Sequence, residues 1–164
     1  MLFRERQVFI GRWWPLLLAP VVVTGALAWL VPAKPFHADW PALVAGAAVA
    51  LSIALLLTLR LETRIDAAGA HYRLFPLQWN WRFRPWAEVA HAYVRAYDPL
   101  GEYGGWGLKG RRANRALTIS GSQGLQLVLR DGNRLLLGTQ RPAEIAEALG
   151  QLRVPGLSTA PAVG

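Results

Sequence analysis

Few residues in this chain have the types that carry chemistry. Ser120, Ser122 and Thr139 are the candidate nucleophiles, and His71 and His91 the candidate bases. Nucleophilic catalysis needs a hydroxyl within hydrogen-bond reach of a base that a third group orients. None of the five sits in a recognisable elbow or at a spacing that gives it a partner. There is no cysteine, so disulfides, thiolate metal sites and cysteine nucleophiles are all excluded. The expectation is a non-catalytic chain with no metal and no cofactor.

The other candidate is the stretch "EYGGWGLKGRR", residues 102 to 112. A phosphate-cradling P-loop needs G-x-x-x-x-G-K-[ST] between a strand and a helix. Here Gly110 is followed by Arg111-Arg112, and the flanking segments read as strands. Gly104, Gly105 and Gly107 allow positive φ and close backbone approach, so Tyr103 and Trp106 can fold down and pin the loop. The segment from Asp98 to Asn114 reads as a 17-residue loop, and loops of that length are usually functional or disordered. Two bulky aromatics argue for order. Tyr103, Gly104, Gly105 and Trp106 are therefore candidates for either an architectural corner or a partner-binding element. The basic run Lys109, Arg111, Arg112 and Arg115 is either a solvated turn or a contact for anionic lipid headgroups.

These residues must be positioned by the rest of a 164-residue chain with a formal charge of +8. Of its 18 basic residues 16 are arginine. A basic balance suits nucleic acid or an anionic membrane surface. Residues 13–31 and residues 41–59 each form a 19-residue run without charge, and roughly 20 apolar residues cross a bilayer as a helix. The expectation is a two-helix transmembrane hairpin joined by residues 32–40. Arg4, Arg6 and Arg12 precede the first run and Arg60 and Arg64 follow the second, with Lys34 between them. The positive-inside rule then places both termini in the cytoplasm. Ala26-Leu27-Ala28 is like a signal-peptide cleavage site, but the long apolar run, Glu5 and Trp29 argue against one.

From Arg60 the pattern changes to alternation. "LETRID", "HYRLFP", "WNWRFRPWAEV", "AHAYVRAY", "RALTISG", "GLQLVLRDG" and "NRLLLGTQ" read as seven strands. A turn at Gly69 and the Asp131-Gly132-Asn133 turn close hairpins. In the third segment Trp81 and Phe83 fall on one face and Arg82, Arg84 and Trp86 on the other. "RPAEIAEALGQL" reads as an amphipathic helix burying Ile145, Ala148, Leu149 and Leu152, with Pro142 in its first turn. Residues 60–152 would be one cytoplasmic domain, and residues 153–164 a disordered tail.

Three segments carry a family resemblance: Phe3-Arg4-Glu5-Arg6-Gln7, Glu102 to Gly107 ("EYGGWG"), and the block from Gly124 to Glu144, with Leu137 where isoleucine is usual. With them the chain resembles an uncharacterised family of bacterial two-span membrane proteins that carry a pleckstrin-homology-like domain. The resemblance implies an α+β membrane protein: a transmembrane hairpin, then a seven-stranded pleckstrin-homology-like sandwich or partly open barrel closed by a C-terminal helix. It also implies a multi-pass setting in the bacterial inner membrane, and no activity. The expected function is a membrane-anchored binding or assembly module that contacts anionic lipid headgroups or a membrane or cytoplasmic protein, and not nucleic acid. The alternative is a regulatory subunit whose domain binds a peptide or strand. The N-terminal element 1–12 is expected to dock on the "EYGGWG" corner through Phe3, Arg4, Glu5 and Gln7. In that arrangement Glu5 pairs with Arg111 or Arg112, and Phe3 packs on Tyr103 or Trp106.

Overall fold

A computed structural model of the chain describes residues 2–9, 40–111 and 113–152. The chain divides into two compact units, Met1–Val8 with Arg60–Gly164 as one and Phe9–Leu59 as the other. In the second unit, α1 (Trp40–Thr58) carries exposed apolar side chains, among them Val49, Leu51 and Leu55. Its hydroxyls are satisfied by the helix itself: Ser52 Oγ donates to the Ala48 carbonyl and Thr58 Oγ1 to that of Leu55.

Among the described residues no helix is long and apolar enough to cross a membrane. This overturns the expected transmembrane hairpin, the α+β membrane fold built on it, and the multi-pass inner-membrane location with cytoplasmic termini. A run without charge records composition alone, whereas a hairpin needs two helices that each meet the length and hydropathy of a span. Run 13–31 and residues 32–39 of the expected link 32–40 lie outside the described residues, as does the tail 153–164, and Trp40 of that link begins α1.

The first unit is mostly β. The strands are β1 (Phe3–Val8), β2 (Arg60–Ile65), β3 (Gly69–Phe75), β4 (Arg82–Pro85), β5 (Val89–Ala96), β6 (Gly107–Arg111), β7 (Asn114–Thr118), β8 (Gln123–Leu129) and β9 (Arg134–Gly138). They form a four-stranded sheet in the order β1-β2-β3-β4 and a five-stranded sheet in the order β5-β8-β9-β7-β6. All pairs are antiparallel except β7 with β9. The two strands beyond the seven expected are β1, read from sequence as a juxtamembrane leader, and β6, read as part of a loop. β1 alternates strictly, with Phe3, Glu5 and Gln7 buried and Arg4, Arg6 and Val8 exposed, the pattern of a strand with one face on a core.

Both sheets turn apolar residues inward. Leu61, Ile65 and Leu74 from the first meet a core with Leu117, Leu125, Leu127 and Leu137 from the second. The chain passes between sheets at the one-turn 3-10 helix Trp86–Glu88, where Trp86 is fully buried and its Nε1 donates to the Asp66 carbonyl at 2.8 Å. Helix α3 (Pro142–Gln151) buries Ile145, Ala148 and Leu149 and packs on β5, β8 and β1. Leu152, expected in that buried set, is half-exposed beyond the last turn.

Candidate functional site: an arginine and aromatic sheet face

The strand register of the four-stranded sheet decides which side chains share its outer face. One row across it reads Arg4, Arg64, His71, Phe83; the next reads Arg6, Glu62, Arg73; the third reads Val8, Arg60, Phe75. Directly paired residues project to the same side. Five arginines therefore share this face with Glu62, and three of them, Arg6, Arg60 and Arg73, lie within ion-pair distance of it. Glu62 accepts from Arg73 Nε at 2.9 Å and lies within 3.5 Å of Arg60 and 3.8 Å of Arg6. The remaining positive charge is held on aromatic faces, where a guanidinium is attracted by the ring quadrupole. Arg64 lies 4.2 Å and Arg73 4.8 Å from the Trp81 ring centre, and Arg60 lies 4.5 Å from that of Phe75. His71 stacks on Phe83 at 4.4 Å and contacts Asp66 Oδ2 at 3.1 Å.

Beside this face, the β3–β4 connection presents Leu77 and Trp79, 62% and 72% exposed. A cleft of about 440 Å³ opens between Arg64, Asp66, His71 and Trp81. Burial works against the Asp66 charge, yet donation from Gly69 N and Ala68 N, with His71 alongside, holds the Asp66 carboxyl below the usual carboxylate range.

The residues singled out in the sequence fall elsewhere. The segment expected to be a 17-residue loop is a short helix α2 (Pro99–Tyr103) followed by β6. Asp98 caps α2 by accepting from Leu100 N, and Gly104 ends it in the left-handed region at φ 68°, where glycine is favoured. Tyr103 then folds onto Tyr97, Ala116 and Leu136, with its ring edge-on to Tyr97 at 6.1 Å. Its hydroxyl accepts from Arg95 Nη2 and donates to Asn114 Oδ1, and Trp106 Nε1 donates to the Gly121 carbonyl at 3.0 Å. The "EYGGWG" corner is thus a lid over the outer side of the five-stranded sheet, where Gln126 and Leu136 are buried. Of the basic run, Lys109 and Arg111 share one face of the edge strand β6, Arg115 on β7 is paired with Gly110, and Arg112 lies outside the described residues.

The N-terminal element docks on different partners from those expected. Glu5 is buried, with Oε2 accepting from Thr139 Oγ1 at 2.7 Å and Oε1 from Gln140 N at 2.9 Å. Gln7 Nε2 donates to the Gly138 carbonyl at 2.7 Å. Phe3 lies under the Arg141 guanidinium at 5.4 Å, and Arg141 Nη1 donates to the Arg4 carbonyl. Glu5 therefore closes on the Gly138-Thr139-Gln140 end of β9, not on Arg111. The acid in the corner itself, Glu102, takes Arg95 Nη2 at 2.7 Å.

Two of the three candidate nucleophiles, Ser120 and Thr139, are similarly committed. Ser120 Oγ accepts from Gln140 Nε2 and Thr139 Oγ1 serves Glu5. Among the described residues neither hydroxyl bonds a histidine, and no group of three or more His, Cys, Asp and Glu side chains is placed to hold a metal ion. Comparison with known proteins adds no identity: no family model matches the chain, and neither curated proteins nor solved structures give a match.

The Arg95–Glu102 pair makes a testable hinge of the corner. The Arg95 hydrogen bond holds the Glu102 carboxyl below its ordinary value of 4.5. A carboxylate with a depressed folded pKa stabilises fully above its unfolded pKa and loses that contribution as pH falls through the folded one. Both groups are partly exposed, so the pair contributes only about 0.5–1 kcal/mol. Glu102→Gln is expected to melt a few degrees below the parent at pH 7, and the gap should shrink as the pH falls below the ordinary carboxylate range. A gap that stays constant across that range would show that the Glu102 charge does not hold the corner.

Proposed function

We propose that this chain is a non-catalytic binding module and that the outer face of its four-stranded sheet docks on anionic lipid headgroups. The observation that carries this is the arginine set Arg4, Arg6, Arg60, Arg64 and Arg73 sharing one sheet face with Glu62, beside the exposed Leu77 and Trp79. Indole and arginine together suit the headgroup layer, where the ring meets the acyl boundary and the cation meets phosphate. A wholly charged partner would leave Leu77 and Trp79 in water.

The test uses the full chain with vesicles of phosphatidylglycerol or of phosphatidylcholine, at low and high salt. Each arginine near an anionic surface contributes about 1 kcal/mol, so Arg64→Gln with Arg73→Gln should weaken binding to the anionic vesicles roughly 30-fold. Trp79→Ala should weaken it without changing its salt dependence. Equal binding of parent and double variant, or equal binding to the two lipids, would overturn the proposal.

Strand addition at the free edge of β6 is the second reading, because an unpaired edge is a template for another strand. It is less favoured. Gly107 and Gly110 sit at φ 110° and φ 80°, which bends that edge away from a straight ladder.

A further inference from the structure

A cavity of about 380 Å³ lies between the two sheets, independent of the outer face described above. The inward side of β4 contributes Arg82 and Arg84, opposite in alternation to Phe83. Tyr72, paired with Arg82, is buried beside them. From the other sheet come Arg115 on β7 and Arg134 at the start of β9, over an apolar floor of Leu129 and Leu135. Four guanidinium groups from three strands, β4, β7 and β9, thus converge on one space.

The fold supplies only part of their counter-charge, and all of it to Arg84. Asp131, the one carboxylate of the lining among the described residues, is tied into its own turn, accepting from Asn133 N at 2.9 Å and Asn133 Nδ2 at 2.6 Å, and its charge acts on Arg84. Arg84 Nη1 reaches Glu88 at 3.3 Å, but its Nε is buried without an acceptor among the described residues. Arg82, Arg115 and Arg134 have no carboxylate within ion-pair distance among the described residues. Like charges gathered over a low-dielectric floor repel, and a buried unpaired donor costs free energy. Both costs are removed by an anion with several acceptor oxygens.

We infer that this cavity is a binding site for a phosphate-class oxyanion, such as a phosphate monoester or diphosphate group. Guanidinium forks match phosphate oxygens in pairs. A monocarboxylate offers two oxygens and one charge, which leaves most of the four forks unanswered. The volume is that of a small-ligand site, so more than an isolated ion can be held. The same phosphate chemistry is found in soluble phosphate compounds and in phospholipid headgroups.

The experiment is a titration of the full chain, at constant ionic strength, with inorganic pyrophosphate, with acetate, and with vesicles containing phosphatidic acid. Pyrophosphate is expected to bind and to raise the melting temperature, and acetate to do neither. Arg115→Gln with Arg134→Gln should weaken pyrophosphate binding at least 10-fold. The same double variant should melt no lower than the parent without ligand, because the repulsion is relieved. Arg115→Lys, which keeps the charge and loses the fork, should bind between the two. Trp79→Ala should bind pyrophosphate as the parent does, which separates this site from the outer sheet face. If pyrophosphate is silent, but Arg115→Gln with Arg134→Gln weakens the binding to phosphatidic acid vesicles that remains in a Trp79→Ala background, the ligand is a lipid headgroup. Equal responses to pyrophosphate and acetate, or an unchanged double variant, would overturn the inference.

Discussion

Replacing Trp86 with alanine is expected to lower the stability of the β unit by about 3–5 kcal/mol, the range for deleting a large buried aromatic. Trp86 is 2% exposed and occupies the crossing from the first sheet to the second. Its backbone N–H bonds the Ala68 carbonyl at 3.1 Å and its indole N–H the Asp66 carbonyl. One side chain therefore holds the β2–β3 turn against the inter-sheet corner. Trp86→Phe keeps most of the ring volume and loses the indole donor, so it should cost about 1–2 kcal/mol, the net worth of a hydrogen bond plus a partly unsatisfied carbonyl. Urea denaturation followed by far-UV circular dichroism measures both. A Trp86→Ala loss under about 1 kcal/mol would mean that the two sheets are held together elsewhere.

Glu5→Ala is expected to cost about 1–3 kcal/mol, because it strands one buried donor, Thr139 Oγ1, and a part-buried one, Gln140 N. The measurement that isolates the contact is a double-mutant cycle with Thr139→Ala, in which a coupling of about 1–3 kcal/mol is expected for a buried charge-assisted bond. The parallel cycle of Glu5→Ala with Arg111→Gln should give a coupling near zero. The reverse pattern would restore the docking on "EYGGWG" that the sequence suggested. Glu5→Ala should also weaken binding to anionic vesicles, since β1 carries Arg4 and Arg6 to the outer face.

Some elements were open to reading in the sequence because their cause is local. Asp131-Gly132-Asn133 turns the chain: Leu129 N bonds the Asn133 carbonyl at 2.8 Å, and Gly132 takes φ 83°. The alternation of Arg82 and Arg84 against Phe83 came from the two-residue period alone. So did the amphipathic stripe of α3, and the ending of α2 at Gly104 follows from glycine's freedom at positive φ. The order carried by Tyr103 and Trp106 was likewise visible from two aromatics set among glycines.

Other features had no local signal. β1 is separated from its partner β2 by the whole unit Phe9–Leu59, so "FRERQV" read as a charged leader although its alternation was there to be seen. The insertion of the β8–β9 hairpin between β5 and β7 makes β7 and β9 parallel neighbours, and no window of sequence records such an order.

The amino-acid sequence by itself determined the charge excess, the absence of thiol chemistry, the hairpin turns and the two-residue alternation of Arg82, Phe83 and Arg84. Those depend on composition and on backbone preferences that act over a few residues. Only the tertiary structure decided which arginines act together. Arg64 and Arg73 share Trp81 because β2 and β3 pair in one register, and a one-residue slip would turn either set to the opposite face. Arg82, Arg84, Arg115 and Arg134 meet in one cavity because two sheets close over a common core. The basic run 109–115, adjacent in sequence, is divided between strands and faces. Charges interact through distance in space, and in a β fold that distance is set by strand pairing and sheet packing, not by separation along the chain.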